Sequence, residues 1–159
     1  MRRLLLLAAL GAALGAGRPS LAADGPVPAV GRDDKCPVCG MFVSRYPDWK
    51  AAVVFRDGKV AWFDGAKDLF KFLEDPSRHI PGRKAGDVDR VLVSDYYAVT
   101  LVDAREAFFV VGSDVMGPMG RELVPFARRQ DADEFLRDHR GKRVLRFQDV
   151  NRGVLQGLE

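Results

Sequence analysis

The chain of 159 residues has little of what most metal and nucleophilic sites are built from: two cysteines and two histidines. Two cysteines cannot make the disulfide framework of a small secreted scaffold. Net basic charge is also missing from most of the chain. Residues 1–22 hold Arg2, Arg3 and Arg18 and no acid, and the remainder balances 22 Lys and Arg against 22 Asp and Glu. A neutral chain without a basic block argues against a nucleic-acid partner. The apolar run from Leu4 to Ala16 is 13 residues long, short of the ~20 that a membrane-crossing helix needs. No Ser-His-Asp logic is visible, and Gly117-Pro118-Met119-Gly120 lacks both the lysine and the strand-to-helix context of a phosphate-binding loop. A hydrolytic enzyme is therefore disfavoured. What is present, 47% hydrophobic and 30% charged residues, suits one compact domain or two small lobes and excludes collagen-like, coiled-coil and disordered chains.

Arg2-Arg3 followed by the apolar run and then Ser20-Leu21-Ala22-Ala23 has the organisation of a secretory signal peptide over residues 1–22, cleaved after Ala22 or Ala23. Plain leucines after the arginine pair favour ordinary export over the twin-arginine route. No cysteine follows the run, so neither a lipid anchor nor any permanent membrane anchor is expected, and the location implied is periplasmic. Residues 23–35, rich in Pro, Gly and charge, read as a flexible lead-in.

The remainder predicts an α+β chain of two small ββα-type lobes with mainly antiparallel strands, at about 36–76 and 90–150, and a C-terminal tail over 151–159. Strands at Lys50 to Phe55 and Lys59 to Phe63 flank the Asp57-Gly58 turn. Asp64 is expected to cap a helix from Ala66 to Glu74, stopped by Asp75-Pro76. Ser77 to Asp89 reads as an inter-lobe connection. Strands follow at Arg90 to Val93, Ala98 to Val102 and Ala107 to Val111, with an edge segment at Leu123 to Ala127, where Pro125 cannot sit in a central strand. A helix opened by Asp131-Ala132-Asp133-Glu134 runs to about His139, with Gly141 left-handed after it, and Val144 to Phe147 is the last strand. Strand alternation sends one member of each pair Trp62-Phe63, Tyr96-Tyr97 and Phe108-Phe109 outward.

The chemistry lies in sulfur. Cys36 and Cys39 stand in Cys36-Pro37-Val38-Cys39-Gly40-Met41, where a disulfide would close a loop too small to stabilise much. The spacing leaves a redox couple, a metal clamp and a bland disulfide open. Beyond Met1, all three methionines adjoin glycine: Met41 after Gly40, Met116 before Gly117, Met119 before Gly120. A methionine that fills a core usually sits in a helix or strand, whereas Gly112 to Gly120 is a loop by composition. Thiolate and thioether are soft donors that select Cu(I), while zinc asks for four ligands from cysteine, histidine or carboxylate. If the fold brings the two loops together, Cys39, Met41 and one of Met116 or Met119 make a low-coordinate sulfur site. His79 and His139 read as surface residues.

The Cys36-Pro37-Val38-Cys39-Gly40-Met41 run, the hairpin ending Trp62-Phe63-Asp64, and the stretch from Gly112 through Met116-Gly117-Pro118-Met119-Gly120 to Phe126 together resemble the NosL family of copper chaperones. That resemblance implies a periplasmic Cu(I)-binding metallochaperone that is not an enzyme. Its cargo would serve the copper centres of nitrous oxide reductase, with that reductase and its ABC-type maturation complex as partners. It implies Cys39 and Met41 as first ligands, then Met119 and Met116, and also Cys36. The rival class is a periplasmic thiol–disulfide oxidoreductase using Cys36 and Cys39, which would need a thiol made acidic by its surroundings.

Overall fold

The computed structural model describes residues 26–159, so the signal-peptide and cleavage-site readings lie outside the described residues. The fold is α+β, and every strand pairing in it is antiparallel. Strands β1 (Ala51–Phe55) and β2 (Val60–Phe63) form the expected hairpin, with Gly58 at φ +79° supplying the left-handed turn residue. Helix α1 spans Ala66–Glu74 and buries Leu69, Phe70 and Phe72, where Phe72 meets Phe55 and Phe63 of the hairpin edge-on and tilted.

The lobe boundary falls elsewhere than the composition suggests. Strand β3 (Val88–Ser94) pairs with β1 and with β4 (Leu101–Asp103), giving one sheet of order β2-β1-β3-β4. Chain beyond residue 90 thus belongs to the first sheet. The expected connection is also partly ordered, into α2 (Pro76–His79) and a 3-10 turn at Ala85–Asp87. Residues Ala98 to Thr100 are not strand but the end of a turn and irregular chain: Asp95 accepts from the amides of Tyr97 and Ala98, and Val99 is held at φ 55°.

The second sheet has the order β8-β5-β9, from β5 (Phe108–Val111), β8 (Val124–Phe126) and β9 (Arg143–Arg146). Pro125 lies on the edge strand, as its missing N–H requires. Helix α3 covers this sheet and runs Arg129–Asp138. Asp131 does not cap it; its carboxylate takes a bidentate pair from Arg128 at 2.6 and 2.7 Å. The left-handed residue after α3 is Arg140, at φ 54°. Gly141 is required for another reason, because a Cβ there would lie 2.7 Å from a Val110 methyl.

Between β5 and β8 a small hairpin projects, β6 (Met116–Gly117) against β7 (Gly120–Arg121). The C-terminal segment holds a helix, α4 (Arg152–Gln156), with Leu155 and Leu158 buried in the main core. The lead-in contributes Val27 and Val30 to the same core. That added cover explains why Trp62 and Phe63 are both buried, against the alternation expected of a half-exposed hairpin. Among the described residues no helix is long and apolar enough to cross a membrane.

Candidate metal centre

The cysteines sit in a closed turn rather than at a helix start. Lys35 bridges Phe42, the Cys36 amide donates to the Met41 carbonyl at 2.9 Å, and the Gly40 amide donates to the Cys36 carbonyl at 2.8 Å. Closing so tight a loop places Gly40 at φ +79°, a conformation in which any side chain is strained. The turn folds Met41 back beside Cys36.

Helix α1 presents its first turn to these sulfurs. Its N-cap is Gly65, which offers no side chain, and Asp64, expected as the cap, turns to the cysteines instead. The Cys39 thiol donates to Asp64 Oδ1 at 3.3 Å, and the Cys36 thiol donates to Asp68 Oδ2 at 3.4 Å. Asp68 lies in the first turn of α1 and Asp64 just before its N-cap Gly65, and the two carboxylates meet the same cysteine pair. One donor atom from each of Cys36, Cys39, Asp64 and Asp68 lies within 4.8 Å of the others. Asp64 is 1% exposed, and its Oδ2 has no hydrogen-bond partner among the described residues. A buried carboxylate oxygen without a donor is costly unless a cation or water completes it, so this donor set fits a metal ion.

Burial pushes the Cys39 thiol up to about 12 and Cys36 well above its ordinary range; the neighbouring carboxylates add to both shifts. Both sulfurs therefore stay protonated until something displaces the protons.

The methionine hairpin is tied to α1 by buried charge. Lys67, itself buried, donates from Nζ to the Met119 carbonyl at 2.7 Å. Glu122 caps α1 from the other sheet, its Oε1 accepting from the amides of Lys67 and Leu123. Room for this carboxylate exists only because its neighbours are glycines: a Cβ on Gly65 would meet Glu122 Oε2 at 2.5 Å, and one on Gly117 would meet its Cγ at 2.9 Å. Met116 is 56% exposed and Met119 43%, so neither fills the core. Met41 is half-buried in the cysteine turn.

Of the five residues read from the sequence, the structure joins Cys36, Cys39 and Met41 in one turn and anchors the Met119 backbone to α1. Met116 lies one strand further out, opposite Arg121. The histidines stay outside the donor cluster: the His79 ring faces Phe72, and His139 stacks on Phe135 and reaches Asp114 at 3.1 Å. Sequence reasoning missed Asp68, Lys67 and Glu122 and gave Asp64 a capping role. The spacing of Asp64 and Asp68 was the available signal.

The family model described as NosL matches residues 26–155, which take in all five sulfur residues. The chain belongs to the NosL family. Over 124 residues this NosL-family chain is 33% identical to the copper-binding lipoprotein NosL of Stutzerimonas stutzeri. The match takes in 77% of this chain but only 65% of that relative, so the chain spans just under two thirds of its length. The crystal structure of the copper chaperone NosL from Shewanella denitrificans aligns with a TM-score of 0.68 at 29% identity, over 81% of this chain and 99% of that one.

Proposed function

We propose that this protein is a periplasmic Cu(I) carrier, not an enzyme, that delivers the ion toward the copper centres of nitrous oxide reductase through the maturation complex of that enzyme. The observation that supports it most directly is a pair of thiols, one buried and one partly buried, in one turn with Met41, with two thioethers exposed on the hairpin whose Met119 carbonyl is held by Lys67 of α1. Cys39 and Met41 are the first ligands, Met119 and Met116 close the site from the hairpin, and Cys36 is the alternative thiolate. Soft donors in low number suit Cu(I). A single thiolate supplemented by thioethers also releases the ion more easily than a full thiolate set. The relatives named above are a copper-binding lipoprotein and a copper chaperone, which supports the same reading.

The oxidoreductase reading needs a thiol whose thiolate is favoured near neutral pH. Burial and two adjacent carboxylates do the opposite to both cysteines, and no helix starts at the pair.

An anaerobic titration of the reduced protein against a chromophoric Cu(I) chelator tests the proposal. One equivalent is expected to bind tightly, and Met41→Leu or Met119→Leu to weaken binding by about tenfold or more, the scale on which a metal site responds to loss of a supporting group. Copper left wholly with the chelator would remove the carrier reading.

The same titration repeated across pH gives a second expectation. Each thiol has a pKa raised in the folded protein, so each thiolate formed at neutral pH expels a proton. Apparent affinity should rise with pH, by about tenfold per unit for each proton released. A flat profile between pH 6 and 8, roughly, would mean that no thiolate is a ligand.

A further inference from the structure

We infer that the pocket is also a four-coordinate site for a borderline divalent cation, zinc(II) by preference, held by Cys36 Sγ, Cys39 Sγ and one carboxylate oxygen each of Asp64 and Asp68. The inference is independent of the copper reading, because it uses the carboxylates that Cu(I) has no need of and leaves the methionines out.

Its warrant is geometric. Zinc takes four ligands in a tetrahedron, with sulfur at ~2.3 Å and carboxylate oxygen at ~2.0–2.2 Å. Those bond lengths give sulfur-to-oxygen edges of about 3.5 Å and a sulfur-to-sulfur edge of about 3.8 Å. The two sulfur-to-oxygen separations in the pocket, 3.3 and 3.4 Å, already match that edge, and no pair of donors exceeds 4.8 Å. Closing the tetrahedron, whose oxygen-to-oxygen edge is about 3.4 Å, thus calls for a contraction of about 1.4 Å at most. Hard cations such as calcium or magnesium ask for six or more oxygens and are refused by the sulfurs.

The second observation is the unpartnered oxygen of Asp64, buried and on the carboxylate already directed at Cys39. The unpartnered atom is Oδ2, whereas Oδ1 takes the Cys39 thiol; a dication bound to this carboxylate would offset the charge that no donor to Oδ2 does. Charge is also provided for. Two thiolates and two carboxylates around a dication leave an excess of negative charge, and Lys71 Nζ stands 3.8 Å from Asp68 Oδ1, the oxygen that Cys36 does not use. On binding, the two thiol protons leave to solvent and no electrons are exchanged.

The two ions would then compete for the cysteines and differ in their other donors: carboxylates for zinc, thioethers for copper. Cobalt(II) is the probe, as a spectroscopic substitute for zinc. One equivalent added to the reduced protein should give the intense ligand-field bands of tetrahedral cobalt with thiolate charge transfer, both lost on adding zinc. Asp64→Asn and Asp68→Asn should each lower zinc affinity by at least about tenfold and should not weaken Cu(I) binding, which uses neither carboxylate. Met41→Leu and Met119→Leu should do the reverse. Weak octahedral bands without thiolate charge transfer, or asparagine variants that hold zinc as the unmodified protein does, would overturn the inference. Should an asparagine variant fail to fold, the cobalt spectrum of the unmodified protein decides alone. Loss of zinc binding with copper intact counts against this site only, and loss of copper with zinc intact counts against the carrier reading only.

Discussion

Replacing Cys39 with serine is expected to lower Cu(I) affinity by at least about a hundredfold while the protein stays folded, the upper range for damage to a metal's immediate support. A hydroxyl is a hard donor that keeps its proton near neutral pH, so it offers copper neither charge nor polarisable electrons. It does keep a donor for Asp64 Oδ1, the present partner of the thiol, and Cys39 is only partly buried. Circular dichroism should therefore match the unmodified protein. Cys36 is the informative comparison, being fully buried and bonded to Asp68. If Cys36→Ser abolishes binding and Cys39→Ser does not, the order of the two sulfurs as ligands is reversed.

Glu122→Ala is expected to be the most destabilising single change, costing about 3 kcal/mol in urea denaturation. It would strip the acceptor from the amides of Lys67 and Leu123 and open a void between Gly65 and Gly117. The second readout is pH. Burial raises the Glu122 carboxyl from 4.5 to about 8, so the native state holds a proton that the unfolded chain gives up. Stability is then greatest below the unfolded value and declines as pH rises toward 8. Glu122→Gln, which keeps the shape without the titration, should flatten that decline. An alanine variant as stable as the unmodified protein would mean that the carboxylate does not hold the hairpin to α1.

Local pattern was enough for much of the fold. The Asp57-Gly58 hairpin, the bounds of α1 at Ala66–Glu74 and the edge placement of Pro125 were all legible, because turn chemistry, helical spacing and a missing N–H act within a few residues. Pairing between distant strands was not. That β3 returns to β1 is decided by which surfaces meet, and a run of glycine, proline and charge at residues 77–87 hides the continuity. The site divides in the same way. The sulfurs stand out because cysteine and methionine are scarce and flanked by glycine. Asp64 was misread because an aspartate before a helix is ordinarily its cap, and only the fold shows that Glu122, 55 residues beyond Lys67, has taken that position. Lys67 and Asp68 read as the polar side of α1, and their burial becomes visible only when the second sheet and the cysteine turn close over them.

The exposed thioethers of the β6–β7 hairpin would have a cost in the oxidising compartment that the proposed function implies. A methionine sulfur open to solvent is also open to peroxide, and its sulfoxide offers a metal a hard oxygen in place of a soft sulfur. Neither Met116 nor Met119 is packed, so the oxidised hairpin would keep its shape. Damage of that kind would be silent in the fold and legible only in the metal, with Met41, sheltered in its turn, the last of the three to be lost.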